Sequence, residues 1–243
     1  MSTEKRGITG AEVEQTTRVA LDVLDREMFA EAEAARLLQV AQGTLHYWLE
    51  GDKREGRGYL PIVRPEPTGS KVVTWGEFVE AGLLRQYRRQ DRVPMKELRA
   101  TIGHLRDRLG VPHPLAHAQP FVGPGRRLLL EVQEEVDLPG TYWLVAIADG
   151  QPVLTPPSET FYERVEWDDD LAQGWRPAAD PRSPVRMRPD ERFGLPAVGG
   201  IKTEIIWEHL AADESFRDVD EQFDLTVAEV HWAHTFETSL QAA

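Results

Sequence analysis

The stretch Phe29–Glu50 reads Phe-Ala-Glu-Ala-Glu-Ala-Ala-Arg-Leu-Leu-Gln-Val-Ala-Gln-Gly-Thr-Leu-His-Tyr-Trp-Leu-Glu. Its apolar residues form two groups on either side of a short break, namely Ala34, Leu37 and Leu38, then Leu45, Trp48 and Leu49. This i, i+3, i+4 spacing indicates one apolar face on each of two helices. The stretch therefore predicts two short helices joined by a tight turn, either an ordinary helical hairpin or a helix-turn-helix.

If this is a helix-turn-helix, residues 42–49 form its recognition helix. The candidate DNA-binding residues in this stretch are Arg36, Gln42, Thr44, His46 and Tyr47. Side chains at the start of a recognition helix enter the major groove first, and a Gln amide can pair bidentately with adenine. We therefore expect Gln42 and Thr44 to read bases and Tyr47 to contact phosphates.

The run Glu33-Ala34-Ala35-Arg36-Leu37-Leu38-x-Val40, continued by Thr44-Leu45-x-Tyr47-Trp48, resembles the first helix-turn-helix of the MerR-type winged-helix regulators. The resemblance implies a DNA-binding winged helix. Three residues differ from the usual pattern: Gln39 replaces a turn Gly, Ala41 replaces a capping Ser or Thr, and His46 replaces an Arg. A missing N-cap costs roughly 0.5 to 2 kcal/mol, and a missing Arg removes a charge-assisted phosphate contact.

Residues 59–63 and 72–73 are apolar segments around a Pro/Gly turn, which predicts a β-hairpin that would be the wing. Basic residues lie near its base and tip: Lys53, Arg54, Arg57, Arg64 and Lys71. Residues 51–108 carry 13 Lys and Arg against 8 Asp and Glu. A basic surface beside a helix-turn-helix is the electrostatic footprint of a DNA-binding domain. A solvated Gly-rich connection is the alternative.

The two halves of the chain differ in charge. Residues 1–120 hold 18 Lys and Arg against 17 Asp and Glu, whereas residues 121–243 hold 10 against 24. We therefore expect nucleic acid to bind the first half.

The absence of cysteine excludes disulfides and Cys-ligated zinc. The chain has no long apolar run and no apolar segment after its N-terminal charges, so we expect a cytoplasmic protein without a membrane segment.

Capping boxes predict further helices in the first half. Thr9 with Glu12 predicts a helix over about residues 10–26, and Thr74 with Glu77 predicts one reaching Gln90. A third helix is expected over Met95–Leu109. The Pro-, Gly- and His-rich residues 111–125 are interpreted as a linker, and its histidines are not expected to bind metal.

The middle of the chain has a β-rich composition. Residues 128–132, 142–148 and 153–155 are predicted strands, and Asp149-Gly150 predicts a hairpin between the last two. Residues 161–167 fit either a strand or a short helix. We interpret the acidic run 166–170 as a solvated turn rather than a divalent-cation site. The chain has no phosphate-binding loop, nucleophile elbow or catalytic triad, so we expect neither an enzyme nor a cofactor.

The C-terminal part is predicted to end in two capped helices. Ser215 opens the first, and Thr226 with Glu229 opens the second, with Asp224-Leu225 between them. The second helix carries Glu229, His231 and His234 but no Lys or Arg, and the first carries Asp218, Asp220 and Glu221. Such a surface would repel phosphates at neutral pH. We interpret this pair as a surface for packing, self-association or toxin contact.

The motif Phe193-Gly194-Leu195-Pro196-Ala197-Val198-x-Gly200-Ile201-x-Thr203-Glu204, with the later Asp224-Leu225-x-x-x-Glu229-Val230, resembles the bacterial domain-of-unknown-function family 433. The resemblance covers residues 184–237 and implies a small domain that ends in a helix-turn-helix and is frequent among antitoxins. With the MerR-like start and Leu154-Thr155-Pro156-Pro157, the order of modules resembles long VapB-type antitoxins of PIN-domain ribonuclease toxins.

These observations predict an α+β protein with a MerR-like winged helix over residues 1–110, a linker and central module over 111–183, and a C-terminal helix-turn-helix domain over 184–243. The expected function is a homodimeric DNA-binding repressor that is also the antitoxin of a PIN-type ribonuclease.

Such a nuclease holds Mg²⁺ with a cluster of carboxylates. An Arg inserted by the antitoxin can take the place of the Mg²⁺ ion and pair with these carboxylates. Arg126 and Arg127, at the start of a predicted strand, are the candidates, although they could be an exposed strand-edge pair. The alternatives are a protein-interaction module without strong DNA binding and a regulator whose central module binds a small molecule.

Overall fold

The computed structural model describes residues 23–52, 58–89, 93–178 and 180–242. Within these ranges the helices are α1 (Glu31–Leu37), α2 (Gln42–Glu50), α3 (Trp75–Arg89), α4 (Met95–Leu109), α5 (Gly125–Glu135), α6 (Pro156–Arg164), α7 (Thr203–Ala211), α8 (Phe216–Phe223) and α9 (Val227–Gln241). The strands are β1 (Glu27–Ala30), β2 (Val72–Thr74), β3 (Val145–Ala148), β4 (Gln151–Leu154), β5 (Val165–Asp168), β6 (Leu171–Trp175), β7 (Ala197–Val198) and β8 (Ile201–Lys202). They pair in sequence order as four antiparallel two-stranded sheets. This mixture agrees with the predicted α+β class.

None of the helices in the described ranges is long and apolar enough to cross a membrane. The predicted first helix, residues 10–26, lies outside the described residues except for its last few positions. Of these, Val23 and Leu24 are buried.

The first sheet joins segments that are distant in sequence, because β1 pairs with β2. The predicted hairpin between residues 59–63 and 72–73 is therefore wrong. The backbone N–H groups of Ile62 and Val63 instead donate to the carbonyl of Trp48, at 2.9 and 3.0 Å. This satisfies a carbonyl in the last turn of α2, a group that the helix itself leaves unpaired.

Helix α3 is the central helix of the first half, and its predicted capping box is confirmed. The Glu77 N–H donates to Thr74 Oγ1 at 3.3 Å, and the Thr74 N–H donates to Glu77 Oε2 at 2.9 Å. Trp75 is fully buried and stacks on Phe78 with ring centroids 5.8 Å apart. Its indole Nε1 donates to the carbonyl of Ala172 at 2.7 Å. Helix α3 is thereby bonded to β6 in the middle of the chain.

Most of residues 111–125, which the sequence analysis interprets as a linker, are buried in the structure. Pro114–Ala116 and Gln119–Phe121 are short 3-10 helices, and both are buried for the most part. The Leu115 N–H donates to Glu80 Oε1 at 3.0 Å. Phe121 packs on Phe161 with ring centroids 5.7 Å apart. Pro and Gly determine where a chain turns, whereas exposure depends on what packs against the turn.

The predicted strand over residues 128–132 is wrong, because these residues belong to α5. Leu129 and Val132 are both fully buried, at the i, i+3 spacing of one helix face. The Gln133 side chain fixes α5 to β3: its Nε2 donates to Val145 O at 3.0 Å, and its Oε1 accepts the Val145 N–H at 3.0 Å. A short apolar run fits a buried strand and a helix face equally well, so periodicity alone does not decide.

The hairpin at Asp149-Gly150 is confirmed. Both residues have positive φ angles, 50° and 76°, as a two-residue hairpin turn requires. Residues 161–167 contain both predicted alternatives, since α6 ends and β5 begins among them. In the acidic run, Asp169 lies in the turn at φ 50°, but Glu166 belongs to β5 and forms an ion-pair network with Arg176, Arg186 and Arg188.

The C-terminal helices begin where the sequence predicts. Reciprocal capping boxes open α8 at Ser215 and α9 at Thr226. Val219 of α8 faces Val230 and Ala233 of α9, and all three residues are fully buried. Phe216 stacks on His231 with ring centroids 4.0 Å apart. Helix α9 is longer than the capping pattern alone indicates and reaches back to the N-terminal helices.

Candidate nucleic-acid interface

Helices α1 and α2 pack through small and apolar residues on their facing sides. Ala34, Ala35 and Leu45 are buried, as are Trp48 and Leu49. The turn between the helices contains Gln39 at φ 50°, a left-handed conformation that favours Gly. The Gln39 side chain is bonded at both ends: its Nε2 donates to Ser239 O at 3.2 Å, and its Oε1 accepts from Arg85 Nη2 at 2.5 Å. These bonds give a reason for Gln at this position.

The start of α2 is uncovered in the structure. Gln42, Gly43 and Thr44 are exposed, and a Cβ added at Gly43 would meet no other atom within 4 Å. We call these three residues the open edge. Gln42 Nε2 lies 3.5 Å from Glu31 Oε1, which is the long limit of a hydrogen bond. The two residues predicted to read bases are therefore both accessible.

His46 lies next to the open edge in a cluster with Glu31 and Lys71. Its Nδ1 is 2.9 Å from Glu31 Oε2, and Lys71 Nζ is 3.3 Å from the same oxygen. Burial alone would raise the pKa of Glu31, but the hydrogen bonds from His46 and Lys71 outweigh burial and hold that pKa below its usual range. The buried carboxylate thus fixes two nitrogen-bearing side chains beside the start of α2.

Tyr47 is half-buried and lies in a second cluster, with Tyr59 and Arg99. The Arg99 guanidinium is 5.7 Å from the centroid of each tyrosine ring, and its Nη2 donates to Tyr47 Oη at 3.3 Å. Sequence reasoning missed Arg99, which lies on α4 and reaches α2 only through the fold. Its position outside the apolar stripe of α4 was the one signal in the sequence, and most surface arginines share it.

The remaining candidates of the first half are placed differently from the expectation. Arg36 forms an ion pair with Glu237 of α9 at 3.8 Å, so it faces the C-terminal helix. Burial raises the pKa of Glu237, against the opposing effects of Thr203 and Arg36. Lys53, Arg54 and Arg57 lie outside the described residues.

Arg64 is not a wing cation, because it is only 2% exposed. Its Nε and Nη2 donate to the two carboxylate oxygens of Glu77, at 2.7 and 3.2 Å. Its Nη1 bonds to Glu50 and to Thr68 Oγ1, the latter at 2.8 Å. Arg64 therefore joins the last residue of α2 to the first turn of α3. A buried charge needs such partners, but a sequence does not show which arginine has them.

Arg126 and Arg127 lie in the first turn of α5 rather than at the start of a strand. Arg126 is half-buried, and its Nε donates to Phe121 O at 2.7 Å. Arg127 is exposed. The two adjacent arginines consequently point in different directions on the helix, and Arg127 is the more accessible of the two.

No protein-family model matches the chain. "Uncharacterized protein Rv2308" of Mycobacterium tuberculosis is 40% identical over 132 residues, which make up 54% of this chain and 55% of that protein. The chain thus spans about half the length of that curated relative. The X-ray crystal structure of Rv2018 from Mycobacterium tuberculosis matches with a TM-score of 0.68 and 26% identity, covering 86% of this chain and 98% of that chain. The fold described above is therefore similar to that of a mycobacterial protein over most of its length.

Proposed function

We propose that this protein is a DNA-binding transcriptional repressor whose helices α1 and α2 act as a helix-turn-helix. The open edge is the observation that carries this proposal. In helix-turn-helix proteins the N-terminal residues of the second helix contact base edges in the major groove, and here those residues are Gln42, Gly43 and Thr44, all exposed. The MerR-like sequence of this segment supports the same reading.

The groups around the open edge suit a phosphate backbone. His46 and Lys71 share the Glu31 carboxylate on one side of α2, while Arg99 of α4 lies beside Tyr47 of α2. Cations beside a recognition helix contribute affinity that does not depend on base sequence. We propose that a homodimer places two such helices about one DNA turn apart, roughly 34 to 36 Å, and represses by steric exclusion.

Gln42→Ala is expected to reduce discrimination between specific and random DNA by roughly 1 to 3 kcal/mol, because one bidentate base contact is lost. The slope of log affinity against log salt should stay nearly unchanged, since a neutral amide releases no counterion. The measurement is fluorescence anisotropy at several salt concentrations, with the upstream region of the gene or a site selected from random duplexes, compared with scrambled DNA.

Arg54→Ala is the contrasting variant for this experiment. It should weaken binding to specific and random DNA about equally and reduce the salt slope by about one. If Gln42→Ala instead leaves specificity unaltered and lowers the salt slope, Gln42 contacts phosphates rather than bases. The proposed orientation of α2 in the major groove would then be wrong. Absence of any saturable binding to selected duplexes would refute the DNA-binding function as a whole.

We further propose that the protein is the antitoxin of a type II toxin-antitoxin pair and neutralises a PIN-domain ribonuclease. The family resemblances in the sequence support this role, and the exposed guanidinium of Arg127 in the first turn of α5 supports the surface. An arginine presented in this way can enter a carboxylate cluster in place of Mg²⁺.

The double variant Arg126→Ala, Arg127→Ala is expected to weaken inhibition of the partner nuclease by at least about tenfold, as loss of a charge-assisted contact implies. Inhibition is measured by titrating the full-length protein into a ribonuclease assay with a PIN-domain protein encoded beside it. Lys96→Ala is the control on a different helix. Undiminished inhibition by the double variant would remove these residues from the interface, and inhibition without any DNA binding would favour a pure interaction module.

A further inference from the structure

A cavity of about 500 Å³ lies where the N-terminal helix pair, α3, β6 and α9 meet. Its walls include a turn residue, two arginines and three aromatic side chains, namely Gln39, Arg85, Arg164, Trp175, Trp232 and Phe236. Pockets that hold small organic ligands have volumes of roughly 300 to 1,000 Å³ and are mostly apolar with a few placed polar groups. The cavity therefore has the size and lining of a ligand site. None of its lining residues belongs to the β3–β4 hairpin of the central module.

The polar side of the cavity carries two guanidinium groups. Arg164 donates from Nε and Nη2 to the carbonyls of Arg176 and Pro177, at 3.0 and 2.6 Å, and no carboxylate of the described residues forms an ion pair with it. Arg85 donates to the neutral amide of Gln39. Burial and the neighbouring Arg85 charge lower the pKa of Arg164 to about 10, so it remains a cation at neutral pH.

Among the described residues, the charge of Arg164 is therefore met by two backbone carbonyls and by the Trp175 ring, and not by a carboxylate. A cation removed from water without a counter-charge is costly, and an anion placed beside it would offset that cost. Asp180 also lines the cavity, but both of its oxygens accept hydrogen bonds from Arg182, at 2.7 and 3.0 Å. Arg164 consequently places a positive charge in the cavity wall that no carboxylate of the described residues pairs with.

One oxygen atom in the wall, Gln86 Oε1, lacks a hydrogen-bond partner among the described residues. Gln86 is 4% exposed, and its Nε2 donates to Pro157 O at 2.6 Å. Its Oε1 is buried without a hydrogen-bond partner among the described residues. Buried acceptors without partners are rare in folded proteins and need an explanation. A ligand hydroxyl or N–H in the cavity would provide one.

The rest of the wall suits a flat apolar group. Trp175 is 4% exposed, and the Arg164 guanidinium lies 4.9 Å from its ring centroid, which fixes the indole in place. Leu38 and Phe236 continue the apolar surface, and Trp232 of α9 supplies a second indole. An aromatic ring gains by packing on such surfaces, particularly on an indole face.

We propose that this cavity binds a small organic anion, in which one carboxylate or phosphate group pairs with Arg85 and Arg164 and a planar ring packs on Trp175 and Trp232. This binding site goes beyond the proposed DNA-binding function and does not depend on it. The ligand would also contact the turn at Gln39, which precedes α2.

The test uses benzoate and phenyl phosphate as probes, with benzamide as the neutral analogue of benzoate. Calorimetry or ligand-observed NMR with the full chain should show saturable binding of at least one anion, and benzamide should bind at least about tenfold more weakly than the tighter-binding anion. Arg164→Met should weaken anion binding by a similar factor. Arg108→Met, which changes an exposed arginine elsewhere, should leave it unchanged.

Two further variants keep the proposal testable if Arg164→Met does not fold. Arg85→Met should also weaken anion binding at least about tenfold, and Ala178→Phe should block the cavity while both arginines remain. The proposal is overturned if neither anion binds saturably at millimolar concentration, if benzamide binds as well as the tighter-binding anion, or if anion affinity survives every cavity variant that folds.

Discussion

Arg64→Met is expected to lower the free energy of unfolding by about 3 to 5 kcal/mol. The side chain is 2% exposed and bonds to Glu77 at 2.7 Å, to Thr68 at 2.8 Å, to Val72 O at 2.8 Å and to Glu50. Removing one partner of a buried ion pair leaves the other charge uncompensated, which accounts for the size of the expected loss.

Urea unfolding followed by far-UV circular dichroism measures this loss, and Arg108→Met is the matched control. Arg108 also forms an ion pair, with Glu135, but both side chains are 45% exposed. Exposed pairs contribute roughly 0 to 1 kcal/mol, because water and salt screen them. Equal losses for the two variants would show that Arg64 does not join α2 to α3 as described.

The effect of Arg64→Met should also depend on pH. Burial alone would raise the pKa of Glu50, but hydrogen bonds from the Gly69 N–H, Arg64 and Thr68 hold it below its ordinary value. A depressed carboxyl pKa stabilises the fold above the unfolded-state pKa, and this contribution is lost as pH falls through the folded-state pKa. The difference between wild type and variant should therefore be fully present above the ordinary glutamate pKa of about 4.3 and should shrink as pH falls below that value through the folded-state pKa of Glu50.

Trp75→Ala is expected to lower the free energy of unfolding by about 3 to 5 kcal/mol, the range for a fully buried large aromatic side chain. The variant also leaves the buried carbonyl of Ala172 without its 2.7 Å hydrogen bond. This bond links residues on opposite sides of the boundary predicted at residue 110. We therefore expect the circular dichroism and tryptophan fluorescence transitions to shift together.

Trp143→Ala is the control for Trp75→Ala. Trp143 is half-buried, and its indole donates to Leu138 O only five residues away, so its loss should cost less. Two separated transitions in the wild type, with only one of them moved by Trp75→Ala, would mean that the first half folds independently of the middle.

Much of the local structure could be predicted because its causes are local. Helix starts at Thr74, Ser215 and Thr226 were correct, since a capping box is completed within four residues. The Asp149-Gly150 hairpin was correct because two left-handed residues in succession are tolerated by few sequences. The exposure of Gln42 and Thr44 followed from the apolar spacing of the same helix.

The errors concern residues whose role depends on distant parts of the chain. Residues 128–132 were predicted as a strand because a short apolar run has no unique period, and the bonds of Gln133 to β3 accompany a helix there. Arg64 was assigned to a wing because its sequence neighbours are basic and glycine-rich. Its carboxylate partners, Glu50 and Glu77, are 14 and 13 residues away.

The sequence by itself determined where most helices begin and which faces of them are apolar, since caps and periodicity act over a few residues. Tertiary structure alone decided that β2 pairs with β1, that residues 113–118 are buried, and that Arg36 and Gln39 contact α9. It also brought Arg85, Arg164 and Trp232 to one cavity. These pairings depend on packing between segments far apart in sequence, and the free energy of such packing is not encoded in any single stretch.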